Sequence, residues 1–151
     1  MLRKHSRYFD FAIILVMRLV IPPSKLTKLM LLTFYISALL VQVLVLIKVI
    51  PFNWVNGGMS ATYAAQAVQS LVSILVIFGL YLFIRKIYQK PANATRRRRN
   101  ILYIITLFWT LGLLMQLVGT AFEKYFLSLF LLIGVTSHIM LARLIRRHKT
   151  S

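Results

Sequence analysis

The sequence predicts an all-α integral membrane protein, a four-helix bundle, and two observations support this prediction. Hydrophobic residues make up 60% of the 151 residues, and the mean hydropathy is +0.80, more than the core of a soluble domain requires. Four apolar stretches are close to the roughly 20 residues that a helix needs to cross the hydrocarbon layer. These stretches are residues 29–50, 63–84, 101–122 and 125–143.

Turn residues and breakers separate the four stretches. Two prolines end whatever precedes the first span, Ser24 is a candidate helix cap, and Pro51 is expected to close this span. Pro91 breaks the polar linker between the second and third spans. Residues 119–126 are so short a connection that the last two helices must form an antiparallel hairpin. Residues 24–151 are therefore predicted to form one four-span transmembrane domain.

The distribution of charge predicts the orientation in the membrane. The chain has nineteen Lys and Arg but only two acids, Asp10 and Glu123, for a net charge of +17. Seventeen of the basic residues precede the first span, lie at or beyond the end of the fourth, or lie between the second and third. Because basic residues accumulate on the cytoplasmic side, both termini are predicted to be cytoplasmic, in a multi-pass plasma membrane protein. No nucleic acid partner is predicted, since no soluble segment interleaves aromatic with basic residues.

Residues 1–23 are predicted to be a cytoplasmic, interfacial segment. The stretch from Arg7 to Val20 is too short and too charged to span. On a helical wheel Arg3, Arg7, Asp10 and Arg18 fall on one arc and apolar side chains cover most of the rest, which favours an amphipathic helix in the plane of the inner leaflet. A short helix docked against the bundle is the alternative.

Polar residues recur on one face of several spans. In span two they are Thr62, Gln66, Gln69, Ser70 and Ser73, and in span three they include Gln116, Gly119, Thr120 and Glu123. A polar stripe faces protein or water rather than lipid, so we predict an outward-facing polar cleft roofed by residues 53–58. The candidate binding residues are Asn53, Trp54, Asn56, Gln66, Gln69, Ser73 and Gln116, with His138 deeper in the membrane. The alternative is that these groups only form helix-packing hydrogen bonds, each contributing about 1 kcal/mol.

Three further interpretations concern charged or titratable residues. His138 is expected to bond to Ser37 or Thr106, and Lys48 is expected to extend to lipid headgroups rather than to pair with Glu123. Arg96, Arg97, Arg98 and Arg99 are candidate lipid-binding residues, because juxtamembrane basic clusters attract anionic lipid at roughly 1 kcal/mol per charge. Membrane topology alone also explains their position.

The chain lacks the residues that common catalytic mechanisms need. The chain has no cysteine, and Glu123 and His138 would lie about 22 Å apart along a helix, too far for a relay. His138 has too few companions for a metal site, so no cofactor or metal is predicted. We therefore predict a non-enzymatic binding or assembly role with membrane lipids, a membrane-protein partner or a second copy of the chain. The alternative is a small-solute transporter or channel acting as a homo-oligomer through the polar cleft.

Overall fold

The computed structural model describes residues 23–90 and 94–147, and within them every regular element is helical. The long helices are α1 (Pro23–Leu46), α2 (Tyr63–Gln89), α3 (Arg96–Val118) and α4 (Ser128–Arg147), and a π-helical turn (Glu123–Leu127) runs directly into α4. All four are long and apolar enough to cross a membrane, which confirms the predicted all-helical architecture with four helices capable of spanning. Except for Pro23, the predicted interfacial segment 1–23 lies outside the described residues.

The helices pack as a row rather than as a closed square. α1 packs against α2 and α4, and α4 packs against α3, whereas the sequence neighbours α2 and α3 have no extensive contact in the described chain. Residues 47–62 join α1 to α2 at one end of the bundle, which we call the loop end. At the opposite end, the basic end, α1 and α3 begin and α2 and α4 end.

The first helix ends four residues before the predicted boundary at Ile50. Lys48 adopts a left-handed conformation with φ 63°, while the Val49 N–H bonds to the Leu44 carbonyl at 2.9 Å and the Lys48 N–H bonds to the Val45 carbonyl at 3.1 Å. This pair of bonds is the Schellman arrangement that terminates helices. The chain therefore turns before Pro51 can act as the breaker.

The third helix begins earlier than predicted because the arginine run is itself helical. Thr95 caps the helix by accepting a hydrogen bond from the Arg98 N–H at 3.3 Å, so Arg96–Arg99 form the first turn instead of a linker. The helix ends at Val118, since Gly119 is extended with ψ −155°. As a result Glu123, which the helical wheel placed on span three, lies in the first turn of the last helical segment, which begins at Ala121.

A glycine brings the two central helices together. A Cβ atom added at Gly134 of α4 would lie 2.6 Å from ring carbons of Phe34 on α1. The Phe34 ring also makes edge-to-face contacts with Tyr35 and Trp109, each at 5.0 Å between centroids. Because its neighbours hold the ring on several sides, Phe34 has no room to yield, and only glycine fits at position 134.

Candidate functional site

Glu123 fastens the loop end of the bundle. The residue is only 4% exposed, and its carboxylate accepts the Gly57 N–H with both oxygens at 3.0 Å and the Thr120 N–H at 2.9 Å. The Glu123 N–H in turn donates to the Thr120 hydroxyl oxygen at 3.3 Å. Thr120 and Glu123 therefore form a capping box at the start of the last helical segment, and the same carboxylate holds the loop through Gly57. We call this arrangement the Glu123 clasp.

The backbone of the loop is shaped to meet this carboxylate. Asn56, Gly57 and Gly58 have φ of 55°, 67° and 69°, three left-handed residues in succession. Glycine, and to a lesser extent asparagine, tolerate this conformation. The Thr120 hydroxyl adds a second tether by donating to the Trp54 carbonyl at 2.6 Å. The turn thus directs the Gly57 N–H at Glu123, which explains the Asn-Gly-Gly sequence.

Gln66 fastens the same loop to α2. Its side chain is completely buried, and Oε1 accepts hydrogen bonds from Asn56 Nδ2 at 3.0 Å and from the Ser60 hydroxyl at 2.7 Å. Gln66 Nε2 donates to the Ser70 hydroxyl at 3.2 Å. Two of the predicted binding residues, Asn56 in the roof and Gln66 on α2, are therefore bonded to each other.

The remaining residues predicted for the polar cleft are more dispersed. Gln69 is exposed on the outside of α2, and Ser73 is half-buried. Asn53 and Trp54 are exposed in the loop, and the Trp54 ring packs on Phe122 at 5.7 Å. Thus Asn56 and Gln66 bond to each other, whereas Asn53, Trp54 and Gln69 lie exposed at the surface.

Lys48 lies at the same end of the bundle but takes no part in the clasp. Its ammonium group lies over the Tyr63 ring, 4.5 Å from the centroid, and the Tyr63 hydroxyl donates to the Leu46 carbonyl. The Glu123 oxygens bond to Gly57 and Thr120 instead. A cation over an aromatic face keeps its charge stabilised close to the headgroup region.

His138 is buried in the middle of the bundle and has two partners. Its Nδ1 lies 2.6 Å from the Gly134 carbonyl and its Nε2 lies 3.0 Å from the Tyr35 hydroxyl. A carbonyl oxygen only accepts, so Nδ1 carries the proton and, in a neutral ring, Nε2 accepts from Tyr35. The expected partner Thr106 instead donates to the Leu102 carbonyl at 2.8 Å. The side-chain partner of His138 is thus Tyr35, which lies outside the predicted polar stripes.

A cavity of about 420 Å³ lies between α1, α3 and α4, toward the loop end. We call it the loop-side cavity; its walls are mainly apolar, and its polar members are Ser37, Gln42, Trp109 and Gln116. The Gln116 amide makes no side-chain hydrogen bond with the described residues, and its Oε1 is enclosed without a partner. Ser37 and Gln42, both on α1, line the same cavity.

A second cleft, of about 330 Å³, lies between α1 and α2 at the basic end. We call it the basic cleft; its walls combine apolar, aromatic and cationic side chains, namely Lys28, Leu31, Leu32, Tyr35, Tyr81, Ile84, Arg85, Tyr88 and Gln89. Lys28 and Arg85 are exposed at its rim. These two cations lie far apart along the chain, so only the packing of α1 against α2 brings them to one cleft.

Within residues 23–90 and 94–147 there is no group of three or more His, Cys, Asp or Glu side chains that could hold a metal ion. Comparisons with models of protein families, with curated proteins and with solved structures gave no match. The architecture is that of a small multi-pass membrane protein, and its function has to be argued from its own sites.

Proposed function

We propose that this chain is a non-enzymatic membrane protein that binds lipid or assembles with a membrane partner. The observation that carries the proposal is the internal pairing of the loop-end polar groups. Glu123 bonds to Gly57 and Thr120, and Gln66 bonds to Asn56 and Ser60. Because these groups satisfy one another, they serve as a fixed cap rather than as open ligands for a solute.

The basic end supports a location against an anionic membrane surface. Arg96, Arg97 and Arg98 are exposed on the first turn of α3, where positive charge is unfavourable because the helix dipole is also positive there. The first turn of α3 contains no acidic side chain to offset this unfavourable interaction. An anionic cytoplasmic leaflet, in contrast, attracts each nearby cation at roughly 1 kcal/mol. We therefore place the basic end, with both chain termini, at the cytoplasmic face of the plasma membrane.

The row arrangement supports contacts with other membrane components. Few residues along α2 and α3 are buried within the chain, and their surfaces are rich in Leu, Val and Ile. At Gly79 on α2 an added Cβ would meet no atom within 4 Å, so its small size is not required by packing inside the chain. Small residues on an outer face allow a second helix to approach closely.

Extraction directly into lipid nanodiscs followed by mass measurement tests the proposed role. We expect a discrete species that contains the chain together with a fixed number of lipids, a second membrane protein or a second copy. A chain released as a bare monomer, free of retained lipid and of any partner, would contradict the proposal.

A transport role for a homo-oligomer is the second candidate, and the unpartnered Gln116 amide in the loop-side cavity favours it. The proposed binding role predicts that Gln116→Leu leaves both folding and the mass of the complex unchanged, because no hydrogen bond is lost. The exposed residue Gln69 provides the matched control, Gln69→Leu. Loss of solute flux in reconstituted vesicles for Gln116→Leu alone, with folding intact, would establish transport instead.

A further inference from the structure

We infer that the basic cleft binds one anionic phospholipid, with its phosphate between Lys28 and Arg85 and an acyl chain against Leu31, Leu32 and Ile84. This inference deepens the proposed lipid-binding role and rests on it. It assigns a defined pocket in addition to the arginine run of α3, which attracts anionic lipid only through its charge.

The charge at the rim selects an anion. Lys28 and Arg85 are both exposed and both line the cleft. The only carboxylate side chain in the described part of the sequence is Glu123, which is engaged at the opposite end of the bundle. Two cations that share a rim without a carboxylate between them leave uncompensated positive charge there, and a phosphate group has the complementary charge and hydrogen-bond acceptors.

The interior of the cleft selects a molecule with an apolar chain. Leu31 and Leu32 lie about one helical turn deeper than Lys28, and Tyr35 lies about 10 Å deeper at 1.5 Å per residue. α2 runs antiparallel to α1, since Tyr63 bonds to the Leu46 carbonyl at one end and Tyr88 to the Ser24 carbonyl at the other. Ile84 and Tyr81 therefore lie progressively deeper than Arg85, just as Leu31 and Tyr35 lie deeper than Lys28. A charged rim above an apolar floor matches an amphiphile that enters from the membrane.

The size and closure of the cleft favour a lipid over a peptide or a free ion. Its volume of about 330 Å³ is at the lower end of the roughly 300–1,000 Å³ found for small-molecule pockets, which is too small for a partner helix. Free phosphate would use only the two cations and would leave the apolar floor without an occupant. The bond from Tyr88 to Ser24, at 3.2 Å, joins the two helix ends beside the cleft.

Native mass spectrometry with two matched double variants tests the assignment. Lys28→Gln with Arg85→Gln removes both rim charges. Lys25→Gln with Lys86→Gln removes two exposed charges from the same two helices at positions that do not line the cleft. The probes are phosphatidylglycerol and phosphatidylcholine with identical acyl chains. We expect wild type and the Lys25/Lys86 variant to retain one phosphatidylglycerol, and the Lys28/Arg85 variant to bind it roughly 25-fold more weakly, since each nearby cation contributes roughly fivefold.

Other outcomes separate the cleft from the broader proposal. If both double variants weaken equally, or neither weakens, while wild type still retains phosphatidylglycerol, the cleft assignment is wrong and general lipid binding survives. If wild type retains neither lipid nor any partner, the proposed function fails as well. Displacement of phosphatidylglycerol by added inorganic phosphate would overturn the role of the apolar floor. Equal retention of phosphatidylcholine by wild type would overturn the role of the charged rim.

Discussion

His138→Ala is expected to lower the free energy of unfolding by about 3–5 kcal/mol. The side chain is completely buried between α1 and α4, so its removal leaves a cavity. It also leaves the buried Tyr35 hydroxyl without its acceptor. Both losses act on the interface of the two central helices, which hold the rest of the row together.

Unfolding in detergent micelles, followed by Trp109 fluorescence in a Trp54→Phe background that removes the other tryptophan, measures this effect. Trp109 is a suitable reporter because its ring contacts Phe34, which in turn contacts His138 at 5.9 Å between centroids. Tyr35→Phe should cost about 1–3 kcal/mol by leaving Nε2 without a donor. Combining Tyr35→Phe with His138→Leu should recover part of the loss, since both polar partners are then removed. Thr136→Ala, at an exposed position on the same helix, is the control, and a His138→Ala protein as stable as that control would contradict this account of the core.

Glu123→Ala is expected to release the loop and to lower the free energy of unfolding by about 3–6 kcal/mol. The substitution removes the acceptor for the Gly57 and Thr120 N–H groups, and hydrogen bonds to a charged group contribute roughly 1.5–3 kcal/mol each. Hydrogen exchange at the Gly57 amide should rise strongly, because its partner is lost. Exchange within the middle of α4 should change little.

Two further variants, one at Glu123 and one at the adjacent Lys124, test the Glu123 clasp more directly. Glu123→Gln preserves the shape and one acceptor oxygen, so its effect should be about half that of the alanine variant. Lys124→Ala removes the adjacent, exposed side chain and should leave the loop as protected as in wild type. Unaltered exchange of residues 52–58 in Glu123→Ala would show that the clasp does not hold the loop.

The number and position of the membrane helices could be predicted from sequence because length and apolar composition determine whether a helix can span. The helix ends could not be placed from hydropathy, since single residues and local hydrogen bonds decide them. Lys48 terminates α1 through a left-handed conformation, and Thr95 starts α3 within a basic run. The Thr-x-x-Glu pattern at residues 120–123 was a visible signal for the start of the last helical segment, and it identifies the capping box.

The candidate sites were less predictable because a helical face does not specify its partner. The polar face of span two predicted Gln66, and the roof predicted Asn56, as candidate binding residues, but only the tertiary structure bonds them to each other. Tyr35 lies in an apolar run, and its role as the partner of His138 depends on the packing of α1 against α4. Lys28 and Arg85 share the basic cleft for the same reason, since antiparallel packing of α1 and α2 joins distant parts of the chain.

The central claim is that the loop end and the basic end lie on opposite sides of a membrane, with the basic end in the cytoplasm. The chain contains no cysteine, so one introduced cysteine is a unique reporter. Met59→Cys, where the native side chain is 78% exposed, and Arg97→Cys, on the exposed first turn of α3, report on the two ends. We predict that a membrane-impermeant maleimide labels Met59→Cys in intact cells and labels Arg97→Cys only after permeabilisation. Labelling of both positions in intact cells would contradict the four-span arrangement and the functional roles argued from it.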